Sequence, residues 1–289
     1  MVSSIDEGKI HKVQEDELDT PEYPGFCPQK RLGGTAGCSV WSGDWEGHPD
    51  QAILKTFLPG RGWQQETEAL SRAGQIQLPA NIFCPSILDQ QDQPPALLMT
   101  RLPGINMALH SIPMPDWSQA SRLAAQFLKA WQQQPFKDQD SLPLNRALPQ
   151  RLESWIEQGS DCLTQEEISV ARQRVGDGSI FEGHQRVPCH NDFQPRNWLW
   201  NGQSLGIIDF EHAHANHPVF DWVRLELGLW QKMPELRDEF IEEWGGTPEW
   251  ASPEVIDAVI GIHAIGCIVW GNRHGDKEFI FEGRRILDE

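Results

Sequence analysis

Pro188-Cys-His-Asn-Asp-Phe-Gln-Pro-Arg-Asn-Trp198 and, a few residues on, Gly206-Ile-Ile-Asp-Phe-Glu-His212 are the stretches from which the fold can be read. In order they present a carboxylate, Asp192, an amide oxygen five positions later, Asn197, and a second carboxylate, Asp209. The apolar runs Trp198-Leu-Trp200 and Leu205-Gly-Ile-Ile208 are parted by Asn201-Gly202, a strong hairpin signal. The hairpin predicts Asn197 and Asp209 at the two ends of one two-stranded ribbon, close in space. Both can then reach one Mg²⁺ while Asp192, a candidate general base, faces a different atom.

Upstream, Gly33, Gly34 and Gly37 fall between two strand-like segments, where backbone N–H groups can be laid over phosphates. A plain Gly-rich hairpin accounts for the same residues, and the full G-x-G-x-x-G spacing is missing. Gln51-Ala-Ile-Leu-Lys-Thr-Phe57 alternates as a strand with Lys55 in its middle. A helix follows from Gly62 to Ala73, and either Glu66 or Glu68 can pair with Lys55. Ile82–Leu88 and Ala96–Arg101 read as two further strands, joined by the turn-rich Asp89–Pro95. Together these predict a five-stranded antiparallel unit.

From Asp116 the apolar period changes from two to about 3.6. Ala120, Leu123, Ala124, Phe127, Leu128 and Trp131 make one helical face, with Asp116 or Ser118 as its cap. Further helices are expected over about 146–158, after the capping box Thr164-Gln-Glu-Glu167, over 234–244, from Ser252-Pro253 to Trp270, and over 276–287. The Trp and Phe positions of the helices between 116 and 185 read as core rather than as a ligand box.

The motif resembles the catalytic loop of kinases, with His190-Asn-Asp192 where His-Arg-Asp stands and Asp209-Phe-Glu211 where Asp-Phe-Gly stands. In detail it is similar to the aminoglycoside phosphotransferase and choline kinase family of small-molecule kinases, over residues 25 to 289. The resemblance implies a two-lobed α+β fold of protein-kinase type. A small antiparallel sheet lobe (26–103) would follow a peripheral arm (1–25), and a mainly helical lobe (104–289) would complete the cleft. It implies ATP and Mg²⁺ as cofactors, Asp192 as the base, and Asn197 and Asp209 as metal ligands. Lys55, positioned by Glu66 in the family pattern, would hold phosphates under Gly33 and Gly34. Met99-Thr-Arg-Leu-Pro-Gly104 resembles the hinge that takes the adenine edge, which brings in Met99 and Arg101. Glu211, His212 and His214 would stand at the substrate side, while His190 and Asp221 would brace the loop. Asn191 resembles the choline-type form. Arg196 and Trp198 depart from the family's frequent pattern; Arg196 could meet a phosphate, pair with an acidic side chain, or be a surface cation.

Composition narrows the partners. The chain has 289 residues, 13 Trp and a formal charge of −18, which argues against nucleic acid and would steer a cationic hydroxylated acceptor; solubility accounts for the acidity equally well. No run of 18 apolar residues and no signal-like N-terminus are seen, so a cytoplasmic protein without a membrane span is expected. The six Cys form no Cys-x-x-Cys pair and read as reduced thiols. Two rival readings use parts of the same residues. A metallohydrolase would use His190, Asp192, Asp209, His212, His214 and His217, but leaves the upstream signals without a role. An ATP-binding pseudokinase conflicts with the presence of Lys55, Asp192, Asn197 and Asp209 together.

Overall fold

The computed structural model describes residues 21–35, 38–46, 48–136, 138 and 140–289. The first 20 residues of the expected arm, and Gly37, lie outside them. Within the arm's last residues, Tyr23 is buried with Phe26, Leu54 and Leu98 in the core of the small sheet.

The chain opens with strands β1 (Phe26–Thr35), β2 (Cys38–Trp45) and β3 (His48–Thr56), then helix α1 (Arg61–Ala73). Strands β4 (Ile82–Phe83), β5 (Ile87–Asp92), β6 (Pro95–Thr100) and β7 (Ile105–Asn106) follow. Five of these make an antiparallel sheet in the order β1-β2-β3-β6-β5. The segment expected as one strand over 82–88 is divided. Ile82–Phe83 leaves the sheet to pair elsewhere, and the Asp/Gln run expected as a connection is β5 itself. β5 is an edge strand, where polar side chains face water at no cost.

Two glycines are demanded by backbone geometry. Gly34 has φ +118, and a Cβ there would lie 2.2 Å from the Cys38 carbonyl oxygen across the β1–β2 hairpin. Gly104 has φ +126, and its Cβ would meet the Trp200 backbone at 2.9 Å. Gly104→Ala is therefore expected to cost about 1–3 kcal/mol, read as a lowered denaturation midpoint at unchanged m-value.

The larger part begins with α2 (Met114–Gln132), α3 (Leu144–Gln158) and α4 (Gln165–Val175). Short strands β8 (Val187–Cys189), β9 (Trp198–Trp200), β10 (Leu205–Ile207) and β11 (His214–Asn216) come next. Helices α5 (Val219–Glu226), α6 (Leu229–Lys232), α7 (Pro234–Trp244), α8 (Pro253–His274) and α9 (Lys277–Asp288) close the chain. The expected face of α2 is buried at all six positions. Its cap is not as expected: the helix starts after Pro113, Asp116 sits in the first turn, and Ser118 Oγ donates to Glu239 instead. Thr164 and Glu167 form the expected capping box, and Ser252 Oγ accepts from Val255 N. By length and apolar composition α8 could cross a membrane. Here it is the central core helix, packed against α3, α4, α5 and α9.

Between the two parts lies a four-stranded sheet in the order β4-β10-β9-β7, with β4 parallel to β10. The expected Asn-Gly hairpin forms its middle pair, with Ile207 opposite Trp198.

Candidate active site

The β9–β10 hairpin sets the geometry. Ile208 N donates to Asn197 O at 3.1 Å, so Asn197 and Asp209 stand side by side at its open end. Asp209 (φ 68) and Asn191 (φ 61) both adopt the left-handed conformation that disfavours most side chains. Asn191 is held there by its own amide, which donates to the His212 carbonyl at 3.0 Å and the His214 carbonyl at 3.2 Å. Its side chain thus serves the scaffold of the loop.

Asp221 accepts from His190 N, Asn191 N and Gln132 Nε2 at 3.2, 2.6 and 3.1 Å, and is fully buried. His190 donates Nε2–H to the Ile208 carbonyl, since a carbonyl only accepts; burial lowers its pKa and keeps the ring neutral. Beneath the loop, Phe127 of α2 stacks on Phe193 at 5.8 Å, and Trp131 packs on Phe210 at 5.4 Å. The residues after Asp192 and Asp209 are thus both seated on one helix.

Asp192 is 2% exposed. Gln194 Nε2 (2.5 Å) and Arg224 Nη2 (2.9 Å) donate to its Oδ1. Asn197 Nδ2 (2.7 Å) and Arg196 Nη2 (2.8 Å) donate to Oδ2. Burial pushes this carboxyl's pKa up, but Arg224 and Arg196 more than offset that and hold it well below the usual range. Arg224 was not singled out by the sequence reading. Its signal was its position three residues after Asp221, on the same face of α5.

Across the cleft, Lys55 Nζ meets Glu66 Oε2 at 2.7 Å, Asp209 Oδ1 at 2.5 Å and Glu211 Oε2 at 3.0 Å. Burial would strip its proton; the three carboxylates outweigh burial and keep it charged. Glu66 is buried, and its Oε1 accepts from Phe210 N at 3.3 Å. Glu68, two positions on, points to the exposed side of α1.

A cavity of about 500 Å³ runs between the two parts, lined at one end by Lys55, Asn197, Asp209 and Glu211 and at the other by Ile53, Met99 and Leu102. Gly33, Gly34 and Arg101 border it as well. Arg101 differs from expectation as a hinge contact: its N–H donates to Gln51 O and its side chain pairs with Asp50. Thr100 N is likewise taken by Ser86 O, so the next hinge N–H is that of Leu102.

The donor set fits a hard cation. Asn197 spends its amide nitrogen on the Asp192 carbonyl and carboxylate, which turns Oδ1 away from both. With Asp209 and Glu211 it offers only oxygen ligands, as Mg²⁺ prefers. The three clustered histidines diverge instead. His212 is exposed, and the buried His217 bonds His184 at 2.8 Å. Among the described residues the cluster able to hold a metal is Glu66, Asp209 and Glu211, without a histidine.

A five-stranded sheet over a helical body, with a Lys–Glu pair facing a base–amide–carboxylate hairpin, defines a kinase-like protein. The chain belongs to the phosphotransferase enzyme family, whose model matches residues 33–255. Solved aminoglycoside phosphotransferases share the fold. The gentamicin complex of APH(2")-IIa has a TM-score of 0.66 at 18% identity, covering 90% of this chain and 90% of that one. A thermostable mutant of APH(4)-Ia has a TM-score of 0.71 at 12% identity, covering 91% of this chain and 93% of that one. No curated protein matches the sequence.

Proposed function

We propose that this enzyme moves the γ-phosphate of ATP to a hydroxyl of a small molecule. The observation that carries the reading is the facing pair of charge sets: Lys55 held by Glu66 on one wall, and Asn197 and Asp209 on the other, with Asp192 bonded behind Asn197. Lys55 would bind the α- and β-phosphates, and Leu102 N–H would meet the adenine edge between Ile53 and Met99. Asn197 and Asp209, with Glu211 beside them, would hold Mg²⁺, which when bound neutralises developing charge on the phosphates. Asp192 would orient the acceptor hydroxyl and take its proton late. Catalysis is then positioning plus charge stabilisation. The net charge of −18 favours the approach of a cationic acceptor, and a named structural relative binds gentamicin.

Coupled ADP release with Mg-ATP across aminoglycosides, choline, ethanolamine, amino-alcohols and sugars tests this. Release that depends on an acceptor is expected. Asp209→Asn should weaken nucleotide binding by roughly tenfold or more in Mg²⁺ and much less in EDTA. Equal affinity of variant and wild type in Mg²⁺ would remove Asp209 from the metal site.

A further inference from the structure

Asp192 carries more donors than a carboxylate can share with a substrate. Besides the four contacts above, Arg224 Nε lies 3.3 Å from Oδ1. An ionised carboxylate offers about four lone-pair positions. With these donors in place no position is left for an acceptor hydroxyl, so one donor has to leave before Asp192 can act as a base.

Arg224 is not that donor. Its side chain is only 14% exposed, it also bonds His263 Nε2 at 3.2 Å, and its guanidinium lies 5.9 Å over Phe279. Asn197 is buried and also bonds the Asp192 carbonyl. Gln194 does not border the cavity. Arg196 does, beside Asn197 and Asp209, and its side chain is 55% exposed. Its backbone is fixed, because its carbonyl accepts from Asn106 Nδ2 at 2.5 Å, so only side-chain torsions need to change.

Building on the phosphotransferase reading, we propose that Arg196 exchanges between two anions: it caps Asp192 Oδ2, and moves to the γ-phosphate when ATP enters the cleft. The terminal phosphate is a dianion with geometry suited to the guanidinium fork, whereas Asp192 keeps Arg224 as its compensating charge. The freed Oδ2 then accepts the hydroxyl proton. The acceptor oxygen bonds to the γ-phosphorus, the bond from that phosphorus to the β,γ-bridging oxygen breaks, and ADP leaves. The base is thereby uncovered only when a phosphate is present to be transferred.

Titration calorimetry with Mg-ADP and with the Mg complex of a non-hydrolysable β,γ-imido ATP analogue, on wild type, Arg196→Ala and Arg196→Lys, tests the exchange. In Arg196→Ala the analogue should bind about tenfold more weakly while ADP stays within about twofold. Arg196→Lys should fall between. Unchanged affinity for both ligands overturns the proposal, because Arg196 is then only a cap; equal loss of both also overturns it, because the residue then acts on the pocket as a whole. Wild-type protein that binds neither ligand overturns the nucleotide reading itself, a different result from either.

Discussion

Asp192→Asn is expected to lower turnover by about 10³-fold while leaving ADP affinity nearly unchanged. The amide keeps the shape of the carboxylate but cannot take a proton. It also removes the one carboxylate that Arg224 contacts among the described residues, so a stability loss of about 3 kcal/mol should accompany the kinetic one. The two effects can be separated. The double variant Asp192→Asn/Arg224→Gln removes the stranded cation and should regain part of the stability, read by urea denaturation, without regaining turnover. Turnover comparable to wild type in Asp192→Asn would remove Asp192 as the base. An unaltered denaturation midpoint would show that Arg224 finds its compensation elsewhere.

Asp221→Ala is expected to be the most destabilising change near the site, by about 4 kcal/mol. It strands the backbone N–H groups of His190 and Asn191, each worth about 1–3 kcal/mol when orphaned, and leaves the Gln132 amide only the Pro218 carbonyl. Asp221→Asn keeps one oxygen and should cost less. Asp221 also carries a pH signature. Burial, partly offset by its hydrogen bonds, pushes its carboxyl up to about 6 from an ordinary 3.8. The folded protein therefore holds this proton more tightly than the unfolded chain. The associated stability is complete below about pH 4 and is lost as pH rises through 6, a change of about 3 kcal/mol. Asp192 and Asp209 have lowered values, so they act at and below the ordinary carboxylate range instead. Denaturation of wild type and Asp221→Asn at pH 4.5 and pH 7 should give a smaller difference for the variant. Identical differences would refute the assignment.

The site was legible in the sequence where chemistry and local pattern coincide. Asn201-Gly202 between two apolar runs announces a hairpin, and the hairpin alone brings Asn197 to Asp209. Alternation put Lys55 on a strand and helical period put Glu66 and Glu68 on the next helix, both short-range signals; the choice of Glu66 came from the family resemblance. What stayed hidden depends on distant segments meeting. Arg224 reaches Asp192 only because α5 packs beside the catalytic loop, and no local pattern says which acid an arginine will find. Arg196 left three options open in sequence, and its pairing with Asp192 follows from the tight turn over 195–197. The division of 82–88 was missed for the same reason. Phe83 and Ile87 are equally strand-like, yet they serve different sheets.

That division bears on how the molecule is made. Ile82 pairs with Leu205, so about 120 residues lie between two neighbours in one sheet, and β7 on its far edge waits for β9 as well. Closing so long a loop is entropically costly and slows folding. On a ribosome the small sheet can assemble early, but the strands flanking it have no partners until residue 207 has emerged. A protein cut between 103 and 104 would leave β10 without β4, while β7 and β9 would stay together in the longer piece. The two halves would have to find each other before the hairpin that carries Asn197 and Asp209 could settle.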